Sequence, residues 1–302
     1  MIQLGGVTLP VTTPFDTDTG DVSYSAFREN LERWAESDIR GVLIGGSTGE
    51  SVFLEDEERT EMIRVARAAL PEDRIIIAGT GAESTRRTIR NTLEAAEAGA
   101  HAVLVKPPVY FKGAMGHEAL ATHYTAVAEA SPIPVIVYQV PLHLSTMDLP
   151  TALVAELSRH ANIVGIKDSR GKPELVEELL AACADDFQVL VGNGALLLPA
   201  LELGAVGGIV AVGLLAAGPA VEVYRAFRDG RLDPAREAQA RIAPVHREIV
   251  GGRGVPGVKV ALDLLGFHGG VPRPPLAPFP AERSGEIREI LETAQLAGVG
   301  AA

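Results

Sequence analysis

The sequence predicts a (β/α)8 barrel, a TIM barrel in the α/β class, with a C-terminal helical extension. Three observations lead there. Eight short apolar runs are rich in Val, Ile and Leu, amphipathic helical stretches separate them, and polar residues gather where the runs end. Continuous apolar runs are expected of parallel strands buried on both faces, and a helix in each crossover covers such a sheet. Closing the sheet leaves no exposed edge. An open doubly wound sheet is the rival. Its nucleotide-binding form places a phosphate fingerprint after the first strand, and none follows Val7-Thr8-Leu9-Pro10.

The elements are expected in the following order. Val7 to Thr13 forms the first strand, ended by Pro14, and Ser23 to Glu36 the first helix. Gly41 to Ile44 is a strand followed by the small-residue loop Gly45 to Glu50. Acidic residues from Glu55 open a helix that runs to Ala69 before Pro71. Strands Arg74 to Ala78 and Ala102 to Val105 flank a helix over Thr85 to Ala98. A loop through Pro107, Pro108 and Gly113 leads to a helix over His117 to Ala130. Strand Pro134 to Tyr138, helix Leu149 to His160 and strand Ile163 to Lys167 follow. Pro173 to Ala184 is a helix with proline in its first turn. Strands Phe187 to Val191 and Gly207 to Val212 enclose a helix over Leu196 to Leu203. Further helices are expected near Pro219 to Asp229, Asp233 to Val250, Pro256 to Leu265 and Ala281 to Ala294. The stretch Gly269 to Leu276 reads as a stiff connection.

Composition narrows the function. With 302 residues and 47% hydrophobic side chains, the chain can bury one large core. Residues 1–225 are expected to form the catalytic barrel and residues 226–302 a helical region. The formal net charge of -12 argues against a nucleic-acid phosphate surface. Cys183 is the single cysteine, so no intrachain disulfide is expected and a reducing compartment fits. No basic segment followed by an apolar stretch opens the chain, and no apolar run reaches the ~18 residues of a membrane span. A cytoplasmic protein that contacts neither membrane nor nucleic acid is expected.

Barrels of this kind work at the carboxyl ends of their strands. Lys167 ends the apolar run Ile163-Val164-Gly165-Ile166. Desolvation there lowers a lysine's pKa, and the neutral amine is a nucleophile toward ketones. The plainer reading is a lysine whose stem packs while its amine reaches solvent or pairs with Asp168. Lys106 ends the fourth strand and is a rival, but Pro107 and Pro108 favour a loop-packing role. Tyr138 ends the fifth strand, where a phenol can pass protons or simply pack under the rim. Amides of Gly45 to Glu50 can form a concave anion site to which Ser47 and Thr48 add hydroxyls. The same run also suits an ordinary turn with capping hydroxyls, and Glu50 is expected to hold the loop by accepting backbone hydrogen bonds. The seven histidines show no metalloprotease pairing, so no metal is expected.

Taken together, Gly46-Ser47-Thr48-Gly49-Glu50, Tyr138-Gln139-Val140-Pro141 and Gly165-Ile166-Lys167-Asp168, at these separations, resemble the class I pyruvate-dependent aldolases and synthases. That family includes dihydrodipicolinate synthase, N-acetylneuraminate lyase and 4-hydroxy-2-oxoglutarate aldolase, and the likeness runs from Gly6 to about Leu276. The resemblance implies that Lys167 forms the Schiff base, that Tyr138 shuttles protons, and that Ser47 and Thr48 receive the pyruvate carboxylate. It implies that Gly192 and Ile209 line the pocket. Tyr110 or Phe111 falls where many members place a relay tyrosine from a subunit contact, and Tyr110 retains the hydroxyl. Family members are usually tetramers built as pairs of dimers, so a homotetramer is expected. The imine serves in place of any cofactor.

Dihydrodipicolinate synthases usually carry an arginine near the Tyr-Asn-Val-Pro turn. Here Gln139 replaces the asparagine and His143 follows where a charged fork would sit. Ser169 after Lys167-Asp168, Ser131-Pro132-Ile133-Pro134, and the tail Gly254 to Lys259 look more like 4-hydroxy-2-oxoglutarate aldolase. The expected reaction is therefore cleavage of 4-hydroxy-2-oxoglutarate to pyruvate and glyoxylate, with His143 and Ser169 among the substrate-binding residues. Alternatives are dihydrodipicolinate synthase, a lyase or dehydratase for a sugar-derived 2-oxo acid, and a non-catalytic oxo-acid-binding or scaffold protein on the same fold. Whether His143, Lys112 and Arg253 point inward is not legible from periodicity.

Overall fold

The computed structural model describes residues 2–296. Eight parallel strands close into a barrel in chain order. They are β1 Gly6–Pro10, β2 Gly41–Ile44, β3 Ile75–Gly79, β4 Ala102–Val105, β5 Val135–Gln139, β6 Ile163–Asp168, β7 Gln188–Val191 and β8 Gly207–Ile209. Pairing of β1 with β8, Gly6 opposite Gly207, closes the ring. The crossover helices are α1 Tyr24–Ala35, α2 Asp56–Ala69, α3 Thr85–Glu97, α4 His117–Ala130, α5 Thr151–Leu157, α6 Pro173–Ala182 and α7 Leu197–Leu203. Helix α8 Ala217–Arg228 follows β8, and α9 Leu232–Val245, α10 Gly252–Leu264 and α11 Ser284–Thr293 complete the described chain.

Two apolar layers hold this together. Leu43, Ile77, Leu104, Ile136, Leu190 and Ile209 fill the barrel interior. A larger layer between strands and helices takes Val42, Ile76, Val103, Val137, Ile166 and Val189 together with Phe27, Trp34, Met62 and Leu153. Alternate strand residues feed the two layers because side chains on a strand alternate in direction.

Most element boundaries fall within a residue or two of those expected, and the departures have local causes. β1 stops at Pro10, although Val11 still donates to the Leu43 carbonyl. The stretch to Val212 breaks at Ile209, after which residues 211–214 tighten into a 3-10 turn. α5 begins only after Pro150, which caps it in an extended conformation and so excludes Leu149 from the helix. The helix expected from Asp233 to Val250 is α-helical only to Val245, and His246–Gly251 is a π-helical segment. Pro244 lacks an amide donor there, and Gly254, at φ 60 and ψ -159, breaks the path just beyond.

The C-terminal stretch is bound closely to the barrel's first elements. Phe267 stacks on Trp34 with centroids 5.3 Å apart, and Val271 bridges to Phe15. Arg273 lies over the Phe15 ring at 4.2 Å. Its guanidinium also grips both carboxylate oxygens of Glu58 at 2.6 Å and donates to the Gly20 and Phe53 carbonyls. The stretch expected to be a stiff connection is thus a strap.

Deeper still, Lys259 of α10 meets Glu50 of the loop after β2 at 2.7 Å, with side chains 0% and 1% exposed. Lys259 also donates to the Val271 carbonyl at 2.7 Å, and Glu50 accepts the Arg273 amide at 2.9 Å. The expectation that Glu50 accepts a backbone hydrogen bond holds, but its charged partner comes from a helix 200 residues away. Removing one member strands a buried charge, which costs roughly 3–5 kcal/mol. Lys259→Met is therefore expected to destabilise the fold by about that amount in urea unfolding. Lys259→Met combined with Glu50→Gln is expected to cost clearly less than the two single changes added together.

Candidate active site

A cleft of about 890 Å³ opens at the carboxyl ends of the strands. Its lining includes Ser47, Thr48, Tyr138, His143, Lys167, Ser169, Gly192 and Ile209. Register explains why the two central groups meet. In the β5–β6 ladder Tyr138 is the partner of Lys167, and Lys167 in turn pairs with Leu190 of β7. Tyr138 belongs to the interior layer with Leu190, so the pleat brings Lys167 in beside it. The Lys167 amine stands 4.5 Å from the Tyr138 ring centre. The Tyr138 hydroxyl lies 3.3 Å from Ser47 Oγ.

Lys167 is 4% exposed. Burial lowers its pKa below the ordinary lysine range, and the Tyr138 phenol, by charge and hydrogen bonding, pulls only partly the other way. The pairing with Asp168 that offered a plainer reading is not made. Asp168 instead accepts from the Arg170 backbone at 2.8 Å and from Arg170 Nε at 2.9 Å. Lys106, the rival amine, is held by Glu83 at 3.0 Å at the cleft edge.

The loop after β2 is a tight, internally bonded turn. The Gly49, Glu50 and Ser51 amides are spent inside the turn on the Gly46 and Ser47 carbonyls. Thr13 Oγ1 donates to the Gly49 carbonyl at 2.7 Å, and Ser47 and Thr48 line the cleft. Gly192 is required by space, because a Cβ there would lie 1.9 Å from Ser169 Oγ and 3.1 Å from Lys167 Cε. Gln139 is fully buried and faces the following loop. It donates to the Val140 and Met147 carbonyls at 2.8 and 3.1 Å and accepts the Leu149 amide at 2.7 Å, stitching residues 140–149 to the end of β5. His143, on that loop, is exposed at the mouth.

Some placements were not legible beforehand. Tyr110 and Phe111 lie outside the cleft lining, 79% and 72% exposed, stacked edge to face at 5.0 Å. Glu83 fixes their loop by accepting the Val109 and Tyr110 amides at 2.9 Å. Lys112 is exposed and away from the cleft, whereas Arg253 lines it and bonds to Glu286 and the Glu248 carbonyl. Three groups were missed altogether. Arg170 lines the cleft; burial opposes its charge, but Asp168 and Asp148 more than offset that and raise its pKa. His246, at the start of the π segment, accepts the Gly194 amide at Nδ1, and burial lowers its pKa to about 4. Val250, a turn further on, completes this wall. Only the run Lys167-Asp168-Ser169-Arg170 carried a signal, a second cation just past the reactive one.

The model of the dihydrodipicolinate synthetase family matches residues 3–294. The chain belongs to that family. A 4-hydroxy-tetrahydrodipicolinate synthase from Methanothrix thermoacetophila is 36% identical over 95% of each chain. A probable mitochondrial 4-hydroxy-2-oxoglutarate aldolase from Emericella nidulans is 33% identical over 94% of this chain and 93% of its own. Among solved structures, the 4-hydroxy-tetrahydrodipicolinate synthase of Methylacidiphilum fumariolicum superposes with a TM-score of 0.90 at 30% identity, covering 97% and 96% of the two chains. A prophage protein of the dihydrodipicolinic acid synthase family from E. coli, in complex with pyruvate, gives 0.92 at 27% identity, covering 98% of this chain and 100% of its own. No described helix is long and apolar enough to cross a membrane.

The Lys167 environment predicts a pH profile. A buried amine with a lowered pKa is neutral, and so nucleophilic, at a pH where an ordinary lysine is still charged. Capture of a ketone at Lys167 is expected to rise with pH and level off below 10.5, the ordinary lysine value. Tyr138→Phe removes the phenol that supports the charged form, so its inflection is expected at lower pH still, with slower turnover. Borohydride trapping across a pH series measures the first effect and steady-state assay the second.

Proposed function

We propose that the protein is a class I carbon–carbon lyase whose Lys167 forms a Schiff base with a 2-oxo acid, pyruvate being the one its family resemblance implies. The observation that carries this is the buried, deprotonation-prone Lys167 amine beside Tyr138, with Ser47 and Thr48 on the same cleft. Lys167 Nζ attacks the C2 ketone, and loss of water gives a protonated imine. Ser47 and Thr48 hold the carboxylate, and Tyr138, with Thr48, moves protons. In the cleavage direction the C4 hydroxyl loses its proton, the C3–C4 bond breaks toward the imine, and an aldehyde leaves. The remaining enamine is protonated at C3, and water releases pyruvate. Addition to an aldehyde runs through the same steps in reverse. The positive imine nitrogen is the electron sink, so the chemistry calls on no cofactor.

For the aldehyde partner, the names of the similar proteins favour a 4-hydroxy-tetrahydrodipicolinate synthase reaction over the 4-hydroxy-2-oxoglutarate cleavage suggested by the sequence. One observation sustains the aldolase reading: Ser169 and His143 stand in the cleft, and no arginine follows the Tyr138 turn closely. Tyr110 enters as a relay group supplied to a neighbouring subunit. Its exposure beside Phe111, with Val52, Leu142 and Leu144 also exposed, fits a contact between copies within a homotetramer. The setting is the cytoplasm.

Mass spectrometry after borohydride treatment with pyruvate tests the central claim, and the adduct is expected on the Lys167 peptide. An adduct on Lys106, or none at saturating pyruvate, overturns it. Assays with aspartate semialdehyde and with 4-hydroxy-2-oxoglutarate then decide between the two reactions. Tyr110→Phe is expected to lower kcat at least ~10-fold, in the range of a lost proton-transfer group, while the Lys167 adduct still forms.

A further inference from the structure

The cleft contains more cationic side chains than imine formation uses. Lys106 is spent on Glu83. Arg253 is tied to Glu286 and to the Glu248 carbonyl. His246 is neutral, and His143 sits at the mouth. Arg170 differs from all of these. It lies three residues beyond Lys167, its side chain is 4% exposed, and it lines the cleft.

Arg170 is held in place from two sides. Asp168, itself 3% exposed, takes Nε, Nη2 and the backbone amide. Asp148, on the loop stitched down by Gln139, takes Nη1 at 3.2 Å and is 55% exposed. A guanidinium has five N–H donors. Three are engaged here, one each on Nε, Nη1 and Nη2, so displacing Asp148 opens the Nη1–Nη2 edge as a planar fork suited to a carboxylate. The two acids are unequal partners. Asp168 is a fixed orienter, whereas the solvated Asp148 is one that another carboxylate can displace. Pyruvate's own carboxylate falls to Ser47 and Thr48, so the fork is left for a second acid group.

We propose that Arg170 is a specificity-determining residue that binds a distal carboxylate, exchanging Asp148 for it, so that among five-carbon 2-oxo acids the site takes diacids in preference to monoacids. The proposal rests on the imine reading of Lys167. It selects, among partner aldehydes, those that bear a carboxylate.

The test uses the full-length protein and borohydride trapping at Lys167, with 2-oxoglutarate, 2-oxopentanoate and pyruvate as probes. The first two share a carbon chain and differ in the distal carboxylate. The wild type is expected to reach half-saturation at lower 2-oxoglutarate than 2-oxopentanoate, measured relative to pyruvate. Arg170→Gln is expected to reduce that preference by roughly 10- to 100-fold, the range for a lost hydrogen bond to a charged group, and Arg170→Lys to reduce it less. Asp148→Asn is expected to shift it the opposite way, toward the diacid. No diacid preference in the wild type overturns the proposal. So does a preference that survives Arg170→Gln, or an equal loss for all three probes, which would make Arg170 a support for β6. If the wild type traps no pyruvate, the imine reading itself fails, an outcome distinct from all of these.

Discussion

The ion pair between Glu50 and Lys259 is the constraint on which the rest of the site turns. Two charges with almost no solvent contact are tolerated inside a protein only when each satisfies the other and the remaining polar contacts are made. Here the Val271 carbonyl and the Arg273 amide add hydrogen bonds to the ion contact, so the pair ties together β2's loop, α10 and the C-terminal strap. Glu50 takes a left-handed backbone conformation, φ 57 and ψ 38, that is uncommon for a glutamate. The loop holding Ser47 and Thr48 is thus set by a helix outside the barrel. The floor of the cleft and its C-terminal wall are one mechanical unit.

A second constraint concerns charge. A lysine can serve as a nucleophile only where its own charge is disfavoured, yet the substrate it is proposed to meet is an anion. The cleft separates these demands. Immediately around Lys167 the contacts are Tyr138 and the interior apolar layer, and Gly192 supplies backbone where any side chain would crowd the amine's stem. Positive charge is kept one step away, on Arg170, and is balanced by Asp168. The Ser47 and Thr48 hydroxyls offer uncharged donors in the same cleft. With this arrangement burial dominates the Lys167 pKa, while an anion still finds donors.

How much of this was legible in the sequence follows from the range of the interactions. The strands were legible because burial on both faces leaves a run of apolar residues in any context. Lys167 and Tyr138 stood out because each ends such a run, and a polar group there faces the open end of the barrel. That they are ladder partners was not legible, because register between strands depends on packing around the whole ring. Gln139 looked like a departure from a motif and is in fact a buried stitch whose three bonds go to residues up to ten positions on. Arg273 and Lys259 act on residues more than 200 positions away, and no local pattern reports such a contact. The break after Val245 was equally hidden. Periodicity continues through it, and Pro244 was the only local hint.

That break shows why the helical extension cannot be treated as an appendage. A continuous α-helix through residues 246–251 would turn its side chains at a constant angle, whereas a wider π turn re-aims them, a device that recurs at functional sites. His246 and Val250, on this segment, both line the cleft. His246 accepts the Gly194 amide through Nδ1, which places the ring proton on Nε2. Burial keeps the ring uncharged down to about pH 4. A neutral imidazole adds no positive charge to the cleft that holds Lys167, whereas a lysine or arginine at the same place would. Its cost falls on stability: with a folded pKa near 4 against an ordinary 6.5, the unfolded chain binds the proton first. Stability is then lost as pH falls from 6.5 toward 4. The π segment thus exchanges acid tolerance for an uncharged imidazole in the cleft lining.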